Sequence, residues 1–372
     1  MTTAEQTAIG APALELRAYL EQVVPGYRAQ WGTDESFEAA LAWQQLMAAG
    51  GWAAPAWPVE AGGRGLDVVD RVQVNEELAK VGAPQMAGVL GLQNVGPALF
   101  LFGTPEQKES LPRILTGEEI WTQGFSEPGA GSDLAGLQTR AVRDGDDYVV
   151  NGQKIWTSSG MQGTHMMLLV RTDPEAPKHR GISVLLVPLD SPGVDRRPLR
   201  QLTGESEFAE VFFTDVRVPV ASLLGPENEG WRVTMATLGY ERTGVISLAA
   251  ALQREVETLV GAMTIDDPLL RDEVTRRWMD ARLTGLLGAR ALARLGAGGN
   301  PGPEQSVIKF AWSRVTSELG ETVMRAAGSG ALLADGAGVH RFLRSRASTI
   351  AAGTTEVMKN LLAEQVLGLP KG

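Results

Sequence analysis

Between Phe125 and Gly160 the chain reads FSEPGAGSDLAGLQTRAVRDGDDYVVNGQKIWTSSG. Its first half gathers two hydroxyls, Ser126 and Ser132, two carboxylates, Glu127 and Asp133, and several glycines, Gly131 among them, into one short loop. Such a loop offers many backbone N–H donors, which suit an anion such as a phosphate. The second half alternates apolar and polar residues, with DGDD (144–147) and NG (151–152) as turns, the pattern of a β-hairpin. Trp156 follows in an outward register. A donor-rich loop held by strands beside an exposed Trp suits a phosphate and a planar ring together, and predicts a nucleotide-type cofactor. Turn capping accounts for Ser126 and Ser132 equally well, and core packing for Trp156.

A second constellation lies at residues 231–260. At 100° per residue, Met235, Leu238, Val245, Ala249, Leu252, Val256 and Leu259 fall on one apolar stripe. Glu241 lies roughly 50° to one side of it and Arg242 roughly 50° to the other. Both lean toward the buried side. Burying a carboxylate costs several kcal/mol unless it is paired or functional, so this pair is either a structural Glu–Arg bridge or part of a site.

Three stretches must position these groups. Residues 11–120 show helical apolar spacing, as in ALELRAYLEQVV and FEAALAWQQLMAAGGW, the latter ending in a Gly-Gly stop. TPEQKESLPRILTGE opens on a Thr N-cap with Pro in the first turn. From about 121 to 225, THMMLLVRT, GISVLLVPL and EFAEVFFTDVRVPV read as strands. Helical spacing returns after Asn228, interrupted at GAGGNPGPE (296–304). The domains expected are therefore 1–120 helical, 121–227 β and 228–372 helical.

Composition narrows the chemistry. The chain has 372 residues, enough for a large core and two or three domains. A net charge of −10 opposes nucleic-acid binding, which needs clustered Lys and Arg, and gives no support to anionic membranes. Zero Cys excludes disulfides and thiolate chemistry, and three His (His165, His179 and His340) leave no His-rich metal site. No apolar run approaches the ~18 residues of a membrane span. The N-terminus lacks a basic region followed by a long apolar run, so a cytoplasmic protein is expected.

GFSEPGAGSDLAG (124–136), NGQKIWTSSG (151–160), EFAEVFFTDVRVP (207–219) and AGTTE (352–356) together resemble the acyl-CoA dehydrogenases. The resemblance runs nearly the whole chain in the right order, and its first segment is the most specific. It implies an α+β fold: an N-terminal helical domain, a central β-barrel or sandwich, and a C-terminal four-helix bundle. It implies FAD as cofactor, a dimer or tetramer, and α,β-dehydrogenation of an acyl thioester. In that reaction a carboxylate removes the α-proton and the β-hydrogen leaves as hydride to flavin N5, the electrons passing on to an electron-transfer flavoprotein.

Carried over residue by residue, the resemblance implies flavin contacts at Phe125, Ser126, Gly131, Ser132, Trp156 and Ser158, with Glu127 and Asp133 mainly structural. Many family members place the catalytic Glu directly before a C-terminal Gly-Thr. Here Ala352 stands there, and an Ala cannot take a proton. Another branch places its Glu on the first bundle helix, directly before an Arg, which Glu241 and Arg242 match. Glu241 is the expected base, Arg242, Ser132 and Ala351 the expected substrate neighbours, and the backbone N–H of Ala352 a donor to the thioester carbonyl. Thr354 and Glu356 match positions that reach FAD across a subunit interface.

Two elements depart from the family pattern. The usual Arg-x-x-Phe-Gly segment is replaced by MTIDDPLLRDEVTRRW (263–278), where Arg271, Arg276 and Arg277 suit helix-surface salt bridges. The Gln-x-x-Gly-Gly element has become Arg325-Ala-Ala-Gly328-Ser329. These changes point to a heteromer in which a paralogous subunit supplies the missing contacts, as an alternative to a homo-oligomer. The small Ala351 and Ala352 imply room for a branched or ring-bearing acyl group. Three further readings stay open: a carrier-protein thioester as substrate, a non-catalytic partner subunit, and an oxygen-using flavoenzyme on the same fold, which would have no need of Glu241.

Overall fold

The computed structural model describes residues 9–241, 244–262, 265–297, 299, 302, 304–333 and 337–370. The chain divides into two compact units, residues 1–200 with 206–241, and residues 201–205 with 242–372.

The first unit opens with helices α1 (Ala11–Trp31), α2 (Phe37–Ala49), α3 (Val68–Lys80), α4 (Gly96–Phe102), α5 (Pro105–Lys108) and α6 (Leu111–Thr116). The Thr104 cap predicted from sequence is present as a full capping box with Gln107. The 104–118 stretch nevertheless forms two short helices rather than one, because Leu111-Pro112 restarts the chain there. One π-helical turn, Gly91–Val95, leads directly into α4. It is pinned by Trp57, whose indole donates to the Leu92 carbonyl at 2.8 Å.

The strands are β1 (Trp121–Gly124), β2 (Arg140–Asp144), β3 (Asp147–Ser158), β4 (His165–Arg171), β5 (Ile182–Pro188), β6 (Val194–Leu199) and β7 (Phe208–Pro219). They form one sheet ordered β1-β4-β2-β3-β7-β6, with β5 also paired to β4. Period-2 alternation sorts β4 cleanly. Met166, Leu168 and Val170 enter the core within the curled sheet, while Met167 and Leu169 enter the core shared with α1–α4. Burial on both faces explains why β4 and β5 read as continuous apolar runs.

DGDD makes the predicted turn between β2 and β3. Asn151-Gly152 does not turn the chain. It lies inside β3, where the register against β7 shifts between Val150 and Gly152 and the Asn151 amide bonds the Asp215 carboxylate at 2.9 Å. A Cβ on Gly152 would sit 2.6 Å from the Thr139 Cα, so the glycine serves close approach to a neighbouring strand.

Helix α7 (Gly230–Glu241) closes this unit and packs on β5, α4 and the π turn. Its start is tied to the sheet where the Asn228 backbone N–H donates to Ser183 Oγ at 2.8 Å. Among its described side chains the buried face is Val233, Thr234 and Thr237, and both hydroxyls bond back to carbonyls four residues earlier. Met235 is exposed rather than part of the predicted stripe.

The second unit contains α8 (Gly244–Ala262), α9 (Pro268–Gly296), α10 (Glu304–Ala327), α11 (Ala337–Ser345) and α12 (Thr355–Leu361). Helix α8 packs on α9 and α10, and α11 on α10. Among the described residues the predicted stripe holds here: Ala249, Leu252 and Val256 are fully buried, and Leu259 packs on the same core, while the side chains of Leu238 and Val245 lie outside the described residues. Asp267, one of the two acidic residues replacing the Phe-Gly element, caps α9 by accepting the Leu269 N–H at 2.9 Å.

Candidate functional site

The Gly-rich loop leaves β1 at Gly124, where a Cβ would meet Met166 Sδ at 2.3 Å. Glu127-Pro128-Gly129-Ala130 then makes a tight turn, closed by reciprocal backbone bonds of 3.1 and 3.0 Å between Glu127 and Ala130. The Glu127 side chain points back into the protein and gathers both ends of the loop. Its carboxylate accepts the backbone N–H of Gln138 at 2.6 Å and of Thr139 at 2.8 Å. It also pairs with Lys154 Nζ at 2.8 Å. Lys154, on β3, is completely buried, and its second bond goes to the Phe125 carbonyl at 3.1 Å. One strand residue further, the Ile155 N–H donates to the Ser126 carbonyl at 2.9 Å. Sequence reasoning missed Lys154. The signal was a lysine two residues before Trp156 in a strand otherwise predicted to pack.

Electrostatics keep this pair ionised at neutral pH. Burial raises the Glu127 carboxyl, but the Lys154 charge and the hydrogen bonds from Lys154, Thr139 and Gln138 outweigh it and hold the group below its ordinary value. Burial pulls Lys154 down to about 8 against the attraction of Glu127, so it is still protonated at pH 7. Asp133, the other carboxylate of the motif, is exposed and pairs with Lys178 at 2.7 Å. Each motif carboxylate thus has a cationic partner, buried for Glu127 and exposed for Asp133.

Trp156 and Ser158 sit at the end of β3, where the register against β7 slips again between Lys154 and Thr157. Trp156 takes φ 61° and Ser159 φ 52°, a costly conformation for a bulky side chain and one that marks functional sites. The result is a Trp that stands out of the strand: 55% exposed, meeting the Phe208 ring edge-on at 5.8 Å between centroids. Ser158 is half-buried beside it. Arg196 fixes the following turn through its guanidinium bonds to the carbonyls of Gly160, Met161 and Gly163.

The first unit thus brings Phe125, Ser126, Gly131, Ser132, Trp156 and Ser158 onto one loop–strand wall. Its features fit a group carrying a planar ring and acceptor oxygens. The Trp156 ring is uncovered, Gly129 and Gly131 face open space, and Ser132 is exposed. The buried Thr157 Oγ1 and Gln123 Nε2 have no hydrogen-bond partner among the described residues.

Glu241 is the last residue of α7. Its side chain, and Arg242 altogether, lie outside the described residues. In the second unit, Gly328 (φ 54°) and Ser329 begin an exposed 3-10 turn after α10. Arg325 pairs with Glu273, to which Thr322 also donates. Ala351 and Ala352 are exposed, with Ala352 at φ 53°. Thr354 caps α12 by accepting the Val357 N–H at 3.2 Å, and Glu356 is exposed in that helix's first turn. Buried Lys309 holds the approach to this loop by donating to the Ser348 carbonyl at 2.9 Å. Arg276 pairs with Asp272, and Arg277 with Asp280 and Glu318. Arg341 pairs with Glu255 and Arg346 with Glu321. Arg276 and Arg277 thus make the bridges expected of them, whereas Arg271 donates to the Ile265 carbonyl at 2.9 Å. Among the described residues there is no cluster of acidic, His or Cys side chains able to hold a metal, and no helix long and apolar enough to cross a membrane.

Models of the acyl-CoA dehydrogenase N-terminal, middle and C-terminal domains match residues 3–118, 122–216 and 228–367. Acyl-CoA dehydrogenase IpdE1 of Mycobacterium tuberculosis (strain ATCC 25618 / H37Rv) is 44% identical over 352 residues, covering 91% of this chain and 90% of that protein. Among solved structures, the Tcur3481-Tcur3483 steroid ACAD superposes with a TM-score of 0.86 at 30% identity, covering 100% of both chains. The ChsE4-ChsE5 complex from Mycobacterium tuberculosis does so with a TM-score of 0.82 at 32% identity, again over 100% of both.

Proposed function

The chain belongs to the acyl-CoA dehydrogenase family, whose members are FAD flavoproteins, and from that premise we propose that it dehydrogenates a bulky acyl-CoA with Glu241 as the base. The observation that carries the assignment is the pairing of an Ala at 352, where a carboxylate would otherwise stand before Gly-Thr, with a Glu that ends α7. That helix belongs to the same unit as the loop–strand wall. Its start is tied to the sheet through Asn228, and Val233, Thr234 and Thr237 bury its first turns.

Phe125, Ser126, Gly131, Ser132, Trp156 and Ser158 would hold FAD, and Gly328, Ser329, Thr354 and Glu356 would reach FAD across a subunit interface. FAD, when bound, supplies the acceptor for the hydrogen that leaves the β-carbon. Glu241 takes the α-proton. A carboxylate in a water-poor site has a raised proton affinity suited to that step. The Ala352 N–H donates to the thioester carbonyl, stabilising the charge that develops there, while Ser132, Arg242 and Ala351 border the substrate. The electrons would pass on to an electron-transfer flavoprotein.

Two features support a ring-bearing acyl group and a paralogous partner subunit. Ala351 and Ala352 are small and exposed, and a solved relative bears the description steroid ACAD. The same relative is named for two proteins, and a second is a complex of two. In this chain, Arg325 is engaged by Glu273 in the element that departs from the family pattern.

The test is anaerobic bleaching of the purified yellow protein by a panel of acyl-CoA thioesters, with native mass measured alongside. Steroid-type and branched acyl-CoA should bleach it, and Glu241→Gln should keep FAD while losing bleaching by at least about a thousandfold, in the range for removal of an essential base. Retained turnover in that variant would sink the assignment of Glu241. A preference for short unbranched chains would sink the substrate class, and a homomeric mass with full flavin the paralogous partner.

A further inference from the structure

We propose that Lys154 and Glu127 form a latch that positions the FAD wall, fixing the Gly-rich loop and the Trp156 bulge as one rigid piece. The inference rests on the flavin-wall reading above. It adds two residues that reach no cofactor themselves and act through Phe125, Ser126 and Trp156.

Three geometric facts carry it. A lysine with no exposed surface sits two residues before the Trp that leaves the strand. Burying a lysine is expensive unless its charge is paired and its donors are satisfied, and here both conditions are met by groups of the loop. Its two acceptors, the Phe125 carbonyl and the Glu127 carboxylate, flank Ser126, whose own carbonyl takes the Ile155 N–H. The Glu127 carboxylate in turn holds Gln138 and Thr139, so the loop's exit is fixed by the same group as its entry. Arg171 completes the frame. It lies close enough to interact electrostatically with both Glu127 and Lys154, and its guanidinium donates to the Ala135 carbonyl at 2.6 Å. Between the two fixed ends, residues 128–132 are largely exposed and Gly129 and Gly131 touch nothing. The Ala130 N–H is held in the Glu127 turn, while the aim of the exposed Gly129, Gly131 and Ser132 depends on the latch.

Replacing Lys154 removes its ties to Phe125 and Glu127 and leaves the loop entry only the Ile155 to Ser126 backbone bond to the strand. Replacing Glu127 frees the loop exit as well. Each change should alter how the wall grips a ring and a phosphate more than it alters the core of the sheet, which is built from Val150, Met166, Leu168 and Val211.

The experiment uses the purified full-length flavoprotein, co-expressed with its partner subunit if the chain alone holds no flavin. Lys154→Met, Glu127→Gln and the double variant are compared with Glu77→Gln, which breaks a similar buried carboxylate cluster with Arg17 and Lys80 in the helical layer. Three quantities are read: the rate of FAD release followed by flavin fluorescence, the position and fine structure of the visible flavin band, and the melting temperature of the apoprotein. Each single variant should release FAD at least ten times faster and shift the flavin band. The double variant should release FAD less fast than the product of the two single effects, because the two residues share the Lys154–Glu127 contact. Glu77→Gln should lower the melting temperature with the band and release rate unchanged. Latch variants that melt earlier yet keep the parental release rate and band would overturn the inference and leave the pair a packing device. Should Lys154→Met fail to fold, Glu127→Gln alone decides, since it leaves Lys154 its Phe125 acceptor. A parent protein that holds no FAD with or without a partner would instead overturn the flavin-wall reading.

Discussion

Replacing Trp156 by Gly separates a cofactor-contacting role from a packing role, because only the first predicts a change in FAD affinity. The ring is 55% exposed. On a Trp surface of about 250 Å² that leaves about 140 Å² uncovered. Covering one face of the ring, roughly half of that area, contributes about 1.8 kcal/mol at 25 cal/mol per Å², or about twentyfold in affinity. For the protein without FAD the terms do not cancel. Gly releases the strain of a bulky residue at φ 61°, worth about 1–2 kcal/mol. It loses the roughly 110 Å² of Trp surface already covered by protein, about 2.8 kcal/mol, the edge contact with Phe208, about 0.5–1.5 kcal/mol, and adds about 0.5–1 kcal/mol of chain entropy. Trp156→Gly should therefore lower denaturant stability of the apoprotein by about 3 kcal/mol while raising the FAD Kd about twentyfold. Equilibrium urea unfolding and fluorescence titration with FAD measure the two arms. The same loss of stability with FAD affinity unchanged would show that Trp156 serves packing alone.

Two further outcomes follow from side chains around the site and its supporting layer. Glu77 is held down to about 2 by its hydrogen bond from Arg17, which with Lys80 outweighs burial. A depressed carboxyl stabilises the fold above its unfolded pKa and loses that contribution as pH falls toward 2. With Arg17 and Lys80 partly exposed and so screened, the loss should be about 2 kcal/mol, visible as a steeper drop in urea midpoint between pH 5 and pH 2.5 for the parent than for Glu77→Gln; parallel drops would refute it. Gly160→Ala places a Cβ 2.6 Å from the Ala209 Cβ and 3.0 Å from the Thr157 carbonyl, so it should cost about 1–3 kcal/mol and disturb Ser158, read as lowered stability together with weaker FAD binding; unchanged stability would show that the turn yields freely.

Periodicity made much of the fold legible. β4 and β5 were visible as apolar runs because both of their faces are buried, and α8 because its stripe repeats over several turns. β6 was not. Its residues Val194–Leu199 include two adjacent arginines and a proline, an edge strand whose polar content masks its period. Asn151-Gly152 read as a turn because the dipeptide favours one. The structure uses the same Gly for close approach to Thr139, a demand set by a neighbouring strand that no local pattern reports. Met235 fell on the predicted stripe of a continuous helical wheel, yet among the described side chains the buried face of α7 is Val233, Thr234 and Thr237, two of them hydroxyl residues whose burial depends on back-bonding to the helix.

The site was legible to a different degree in its parts. Ser126, Ser132, Trp156 and Ser158 stood out because hydroxyls, glycines and an aromatic cluster in sequence. Lys154 did not, because a lysine in a strand ordinarily points to solvent, and only the third dimension shows it beneath the loop. That placement also explains the motif's own carboxylates. Glu127 cannot act as a free base while its oxygens accept Lys154, Gln138 and Thr139. At neutral pH its proton affinity is lowered rather than raised, the opposite of what abstraction of a weakly acidic α-proton requires. A segment whose acidic residues are consumed in holding its shape leaves the chemistry to a carboxylate on another element. In the proposed function that carboxylate is Glu241, the last residue of α7.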